Sequence, residues 1–178
     1  MIEGDNLKPL TIVSNALFRI EKVIAIIFGL VLLVSLAAGV LFRYFLNAPL
    51  FWSDELAMFC LAWITFIGGS MCIKMKASPS ITMLIDSVKP FARRIISIVA
   101  TFILLVFVIY ILYLSIVWIT GPNIQSQIST SLKWPKVYFY LSIPVSFAFM
   151  SIHTLDLFIQ VVLNKENNDI EKFEGGVD

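Results

Sequence analysis

From Val23 to Phe42 the chain carries no charged residue, and Lys22 and Arg43 stand at its two borders. About 20 apolar residues is the length an α-helix needs to cross a hydrocarbon core of about 30 Å. Inside such a core every backbone N–H and C=O must find its partner within the segment, which a helix does and an open strand does not. The run therefore predicts a membrane helix, and three further stretches repeat the pattern. Leu56 to Ile73 lies between Glu55 and Lys74. Ile95 to Leu132 is free of charge, but Gly121, Pro122 and Asn123 interrupt it, so the third span ends near Thr120. Tyr138 runs towards Leu163 with Pro144 inside, where a local kink is expected and tolerable.

The fold class that follows is an all-α integral membrane protein. One membrane domain covers 1–178, with spans about 20–45, 53–74, 92–120 and 136–163 and a polar tail over 165–178. A cleaved signal peptide competes for the first run. That run is too long for one, follows Glu3, Asp5, Lys8, Arg19, Glu21 and Lys22, and is succeeded at once by Arg43, so it is expected to remain a membrane helix. Ser53 suits an N-cap and Asp54 and Glu55 complement the helix dipole, which places the start of the second helix near Trp52. Between spans two and three, Ile81, Leu84, Ile85 and Val88 recur at helical spacing and predict a short interfacial amphipathic helix. Pro90 ends it, and Arg93 and Arg94 mark the headgroup level.

Composition excludes other classes. The chain is 59% hydrophobic and 14% charged, well beyond the roughly 45 to 50% apolar content of soluble domains. Thirteen basic against twelve acidic residues give no electrostatic footprint for nucleic acid. Cys60 and Cys72, about 18 Å apart along one helix, cannot bridge and form no Cys-x-x-Cys pair. His153, the sole histidine, cannot supply paired haem ligands.

With four spans, both termini share a side. Lys8, Arg19, Lys22, Lys74, Lys76, Lys89, Arg93, Arg94, Lys165 and Lys172 fall there, against Arg43, Lys133 and Lys136 opposite, so both termini are expected to be cytoplasmic. Trp52, Trp118 and Trp134 then sit at the outer interface, and Trp63 alone lies mid-membrane, where helix packing is its expected role.

Every charge in this scheme reaches an interface, Glu21 within the polar start, so no carboxylate is expected at depth to carry a proton or cation. His153 and Asp156 share a helix face, and an interfacial polar pair is the expected role, with a proton relay as the alternative. Gly68, Gly69 and Ser70 are small enough to admit a second helix closely. Arg43 and the Asp54, Glu55 pair bracket a short outer hairpin that holds Asn47 and Pro49, where an ion pair would set the angle between helices one and two. Catalysis by these carboxylates lacks a nucleophile, metal cluster or phosphate loop beside them.

At this hairpin, residues 42–57 resemble the small membrane subunit of tripartite ATP-independent periplasmic (TRAP) transporters, the DctQ type. Arg43, Tyr44, Asn47, Trp52 and Glu55 are similar to its arginine-tyrosine, asparagine, tryptophan-x-x-glutamate pattern. Gly68, Gly69, Lys74 and Lys76 follow, with Ser80 where the family has a histidine. Gln127, Ser129, Ser131, Leu132, Trp134, Pro135, Tyr138, Tyr140, Leu141, Ile143 and Pro144 resemble a third family stretch. The resemblance covers about 20 to 160 and implies a non-enzymatic scaffold in a bacterial inner membrane. It also implies a large multi-span permease partner that holds the sodium, and a periplasmic binding protein that delivers an organic anion such as a carboxylate or sialic acid. No cofactor is expected in this chain, and its other contacts are with membrane lipids. The partner-contact candidates are Arg43, Asn47, Pro49, Trp52, Asp54, Glu55, Gly68, Gly69, Ser131, Lys133, Trp134, Pro135, Lys136, Tyr140 and Pro144. The alternative is an independent small carrier or enzyme that uses His153 and Asp156.

Overall fold

The computed structural model describes residues 8–75 and 90–163. The expected interfacial helix over 81–88 lies outside them. The described elements are helices: α1 (Lys8–Tyr44), α2 (Phe51–Lys74), α3 (Pro90–Ile119), α4 (Pro122–Gln125), α5 (Val137–Tyr140) and α6 (Ser142–Val162). Four helical stretches are long and apolar enough to cross a membrane: Leu10–Tyr44, Phe51–Lys74, Arg94–Ile119 and Val137–Val162.

The helices pack in the order α1, α2, α6, α3, with α1 also touching α6. α1 and α2 run antiparallel, whereas α2 and α6 run parallel: Phe59 meets Phe139, Gly69 faces Met150, and Lys74 reaches Asp156. The molecule thus has a hairpin end, with the 45–50 turn and the 120–136 connection, and a terminus end where α1 begins and α6 finishes.

Buried positions follow a seven-residue spacing, the period that keeps one seam of a helix facing its neighbour. Ser14, Glu21 and Ser35 are buried along α1, with Phe28 in the same register. Ser53, Cys60 and Ile67 line α2, and Thr101, Val108 and Ser115 line α3. Small and polar side chains therefore fill the seams, while Ile26, Leu30, Leu33, Val34, Ile103 and Tyr113 point outward. In lipid this is the stable arrangement, because large apolar groups gain nothing by leaving hydrocarbon, whereas small residues let backbones approach. Several hydroxyls bond back to their own helix, as Thr101 to Ser97 O and Ser151 to Phe147 O, both at 2.8 Å.

Several local expectations change. α1 begins at Lys8 rather than near residue 20, because Ser14 and Glu21 find polar partners on α6. Ser53 does not cap α2. The cap position is Leu50, without a side-chain bond, and the Ser53 hydroxyl donates to Leu50 O at 2.8 Å while its own carbonyl accepts from Ser35 Oγ at 2.8 Å. The fourth span runs from Val137 to Val162, and α5 and α6 meet within it at Leu141, which keeps helical dihedrals of φ −61° and ψ −22°. A proline lacks the N–H for the carbonyl four residues back, here Tyr140, so the local irregularity expected around Pro144 falls there.

The tight approach between α1 and α2 is at Gly39. A Cβ there would lie 2.6 Å from Ser53 Oγ, an atom fixed in the buried hydrogen-bond chain above. No atom lies within 4 Å of a Cβ at Gly68, and one at Gly69 would meet only the mobile end of Met150, 2.8 Å away. Gly39→Val is expected to destabilise the hairpin by about 1 to 3 kcal/mol through overpacking. A thermal melt of the full chain in detergent checks this, and Gly68→Ala should melt close to the wild type.

Candidate functional site

Two constructed regions stand out, one at each end of the bundle. At the hairpin end the 45–50 turn is closed by Phe45 N–H to Leu41 O at 2.9 Å and Ala48 N–H to Phe42 O at 3.1 Å. Asn47 takes φ of 51°, a left-handed conformation that asparagine tolerates better than most residues. Pro49 lies in the extended stretch before α2, where its lack of an N–H costs no helical bond. Arg43 pairs with Asp54 at 3.3 Å across the turn, in the open, where screening leaves such a pair little stabilising effect.

Glu55 takes a different partner from the one expected. Both its oxygens accept backbone N–H groups from the tip of the long connection: Thr130 at 3.2 Å, Ser131 at 2.9 Å and Leu132 at 2.9 Å. Three successive amides converging on one carboxylate form an anion-holding concavity, and charge assistance strengthens each bond. The connection is further ordered by an isolated antiparallel bridge between Ile128 and Pro135, with Ser129 N–H to Trp134 O at 2.8 Å and Lys136 N–H to Gln127 O at 3.0 Å. Lys133 turns the tip at φ of 59°. Trp134 packs edge-on against Phe59, and Trp118 against Tyr140. Trp63 stacks on Phe28 with centroids 5.5 Å apart and donates its indole N–H to Tyr138 O at 3.3 Å.

This end therefore gathers Arg43, Asn47, Pro49, Trp52, Asp54, Glu55, Ser131, Lys133, Trp134, Pro135 and Lys136, while Tyr140 and buried Pro144 lie just beneath. Gly68 and Gly69 are not part of this face. They lie towards the other end of α2, nearer Lys74.

At the terminus end, two polar bridges join α1 to α6. His153 Nδ1 lies 2.8 Å from Ser14 Oγ, and Nε2 lies 3.1 Å from Glu21 Oε2. Asp156 accepts from Thr11 Oγ1 at 3.0 Å and from Lys74 Nζ at 2.9 Å. Glu21, Ser14, His153 and Asp156 are all buried. His153 and Asp156 thus serve separate bridges rather than forming a pair. Glu21, expected in a solvated flank, is enclosed with no exposed surface. The signal was available as the seven-residue spacing of Ser14, Glu21 and Ser35, but it pointed to burial only if α1 extended below Lys22.

Among the described residues no three His, Cys, Asp or Glu side chains are grouped to hold a metal ion. An open apolar groove lined by Ile111, Leu114, Val117, Trp118 and Ile143 carries no charged group.

The family model described as "Tripartite ATP-independent periplasmic transporters, DctQ component" matches residues 32–164. Over 104 residues, 58% of the chain, the sequence is 27% identical to the isethionate TRAP transporter permease protein DctMQ of Oleidesulfovibrio alaskensis. The matched stretch is 16% of that relative's length.

Glu55→Ala should release the loop tip. The amides of Thr130, Ser131 and Leu132 are expected to exchange hydrogen at least about tenfold faster, the change that loss of roughly 1.4 kcal/mol of protection brings. Hydrogen exchange of the full chain in nanodiscs reads this directly, while amides in mid-α2 should keep their protection.

Proposed function

The chain belongs to the DctQ component family of the TRAP transporters, and from that premise we propose that it is the small, non-catalytic scaffold subunit of a sodium-driven importer of an organic anion. A large multi-span permease would carry the sodium and the moving substrate site, and a periplasmic binding protein would deliver the anion. The relative's far greater length is in keeping with a large permease portion beside a small one.

The hairpin end would face the periplasm and form part of the docking surface for the binding protein, with both termini in the cytoplasm of a bacterial inner-membrane host. The observation that carries this reading is the Glu55 clasp, which holds an exposed loop bearing Lys133 in one shape before any partner arrives. Preordering of this kind lowers the entropic cost of docking. The segregation of Arg19, Lys22, Lys74 and Arg94 to the terminus end supports the orientation. The outward apolar sides of α1 and α3 would meet lipid and the large subunit.

Purification of the chain in mild detergent is expected to bring with it a large polytopic membrane protein in stoichiometric amount. A chain that purifies alone and still moves solute in liposomes would overturn the scaffold reading in favour of an independent carrier. Reversing both loop charges, Lys133→Glu with Lys136→Glu, is expected to lower transport several-fold at limiting binding protein while the complex still assembles. Unchanged transport would remove the loop from the docking surface.

A further inference from the structure

Glu21 and Asp156 are two buried carboxylates at the terminus end, and they are satisfied differently. Asp156 has a donor on each oxygen, Thr11 on one and the Lys74 ammonium on the other, so it forms a complete ion pair. Among the described residues Glu21 has one partner. Its Oε2 meets His153 Nε2, and its Oε1 is buried with no hydrogen-bond partner. A full negative charge confined to so few bonds in a buried site is costly.

Among the described residues no other charged group pairs with it. On α1 the neighbouring Arg19 and Lys22 are exposed, and Lys22 lies over the Phe18 ring. On α2 the charged group at this end is Lys74, already held by Asp156. On α3, Arg94 is exposed and donates to Val162 O at 3.0 Å. The face of α2 opposite Glu21 follows from the aromatic stack. Phe28 lies on Trp63 across antiparallel helices, and seven residues along each, two turns and nearly the same face, come Glu21 and Ser70. Ser70 Oγ is also buried and unpartnered.

We propose that Glu21 and His153 form a proton-binding site that holds one shared proton in a charge-neutral pair, and that this proton fastens α1 to α6. The proton sits between Nε2 and Oε2. Whether it resides on the nitrogen or on the oxygen, Nδ1 keeps its own hydrogen and donates to Ser14 Oγ, so the three side chains stay bonded. Removing the shared proton leaves one negative charge in the interior, and adding a second leaves one positive charge. Either loosens the terminus end.

The test is the melting temperature of the full chain in lipid nanodiscs from about pH 5 to about pH 9, for wild type, Glu21→Gln and His153→Gln. The wild type is expected to lose stability from about pH 7 upward, since the folded chain then binds a proton that the unfolded chain has released. Glu21→Gln has no carboxylate to expose, so its profile should be flat there and should fall instead towards about pH 5, where an imidazolium would form beside a neutral amide. His153→Gln should remove the acid-side loss that Glu21→Gln shows. Parallel profiles for all three proteins would overturn the proposal.

A second measurement applies even where a variant fails to fold. Because His153 is the sole histidine, 15N-histidine labelling reports its ring alone. The wild-type Nδ1 is expected to stay protonated across the range, and Glu21→Asp should move the Nε2 resonance. Ring nitrogens that follow a free imidazole, centred near about 6.5, would overturn the shared proton whatever the variants do.

Discussion

In a bilayer the space outside a helix bundle is as apolar as any side chain the bundle could bury, so helices are held by close backbone approach and by polar contacts. The architecture here depends on that constraint. Serines, Thr101, Thr154, Cys60 and Ala57 occupy the seams beside Ile67, Val108 and Val161, and most other large aliphatic residues are turned out. Where α1 meets α2 the limiting element is the absent side chain of Gly39 against Ser53. Where α1 meets α6 it is the pair of polar bridges through His153 and Asp156. Both depend on the seven-residue register, which brings Ser14, Glu21, Phe28 and Ser35 to one side of a single long helix.

Charge-free runs revealed four spans, because hydrocarbon thickness sets a length that a sequence displays directly. The interruption at Gly121 and Pro122 was legible for the same reason that proline and glycine punctuate any helix. The partners of individual polar groups were less legible. Glu55 sits next to Asp54 and looks equally suited to Arg43, yet Asp54 takes the arginine and Glu55 takes three backbone amides some 75 positions away. Amides carry no side-chain signature, so a carboxylate that binds backbone leaves no matching residue to search for. Glu21 reads as part of a solvated flank, since polar residues before an apolar run ordinarily lie in water. Its enclosure required knowing that α6 presents His153 at that level.

The two ends of the bundle use acidic groups for different purposes. At the hairpin end an accessible carboxylate gathers loop amides and gives an irregular segment a fixed shape. At the terminus end enclosed carboxylates tie helices together, one through an ammonium and one through an imidazole. The family's role as a transporter component is consistent with a part whose polar groups bind its own chain.

Glu55, Phe59 and Trp63 recur every four residues on α2, along one stripe. In order, they hold the loop tip, the Trp134 and Phe139 rings, and the Tyr138 carbonyl. The stretch from Thr130 to Tyr140 is thus a cantilever rooted in α2, although in sequence it joins α3 to α6. A load applied at its tip would pass down α2 into the centre of the row, and through Tyr140 on Trp118 into α3.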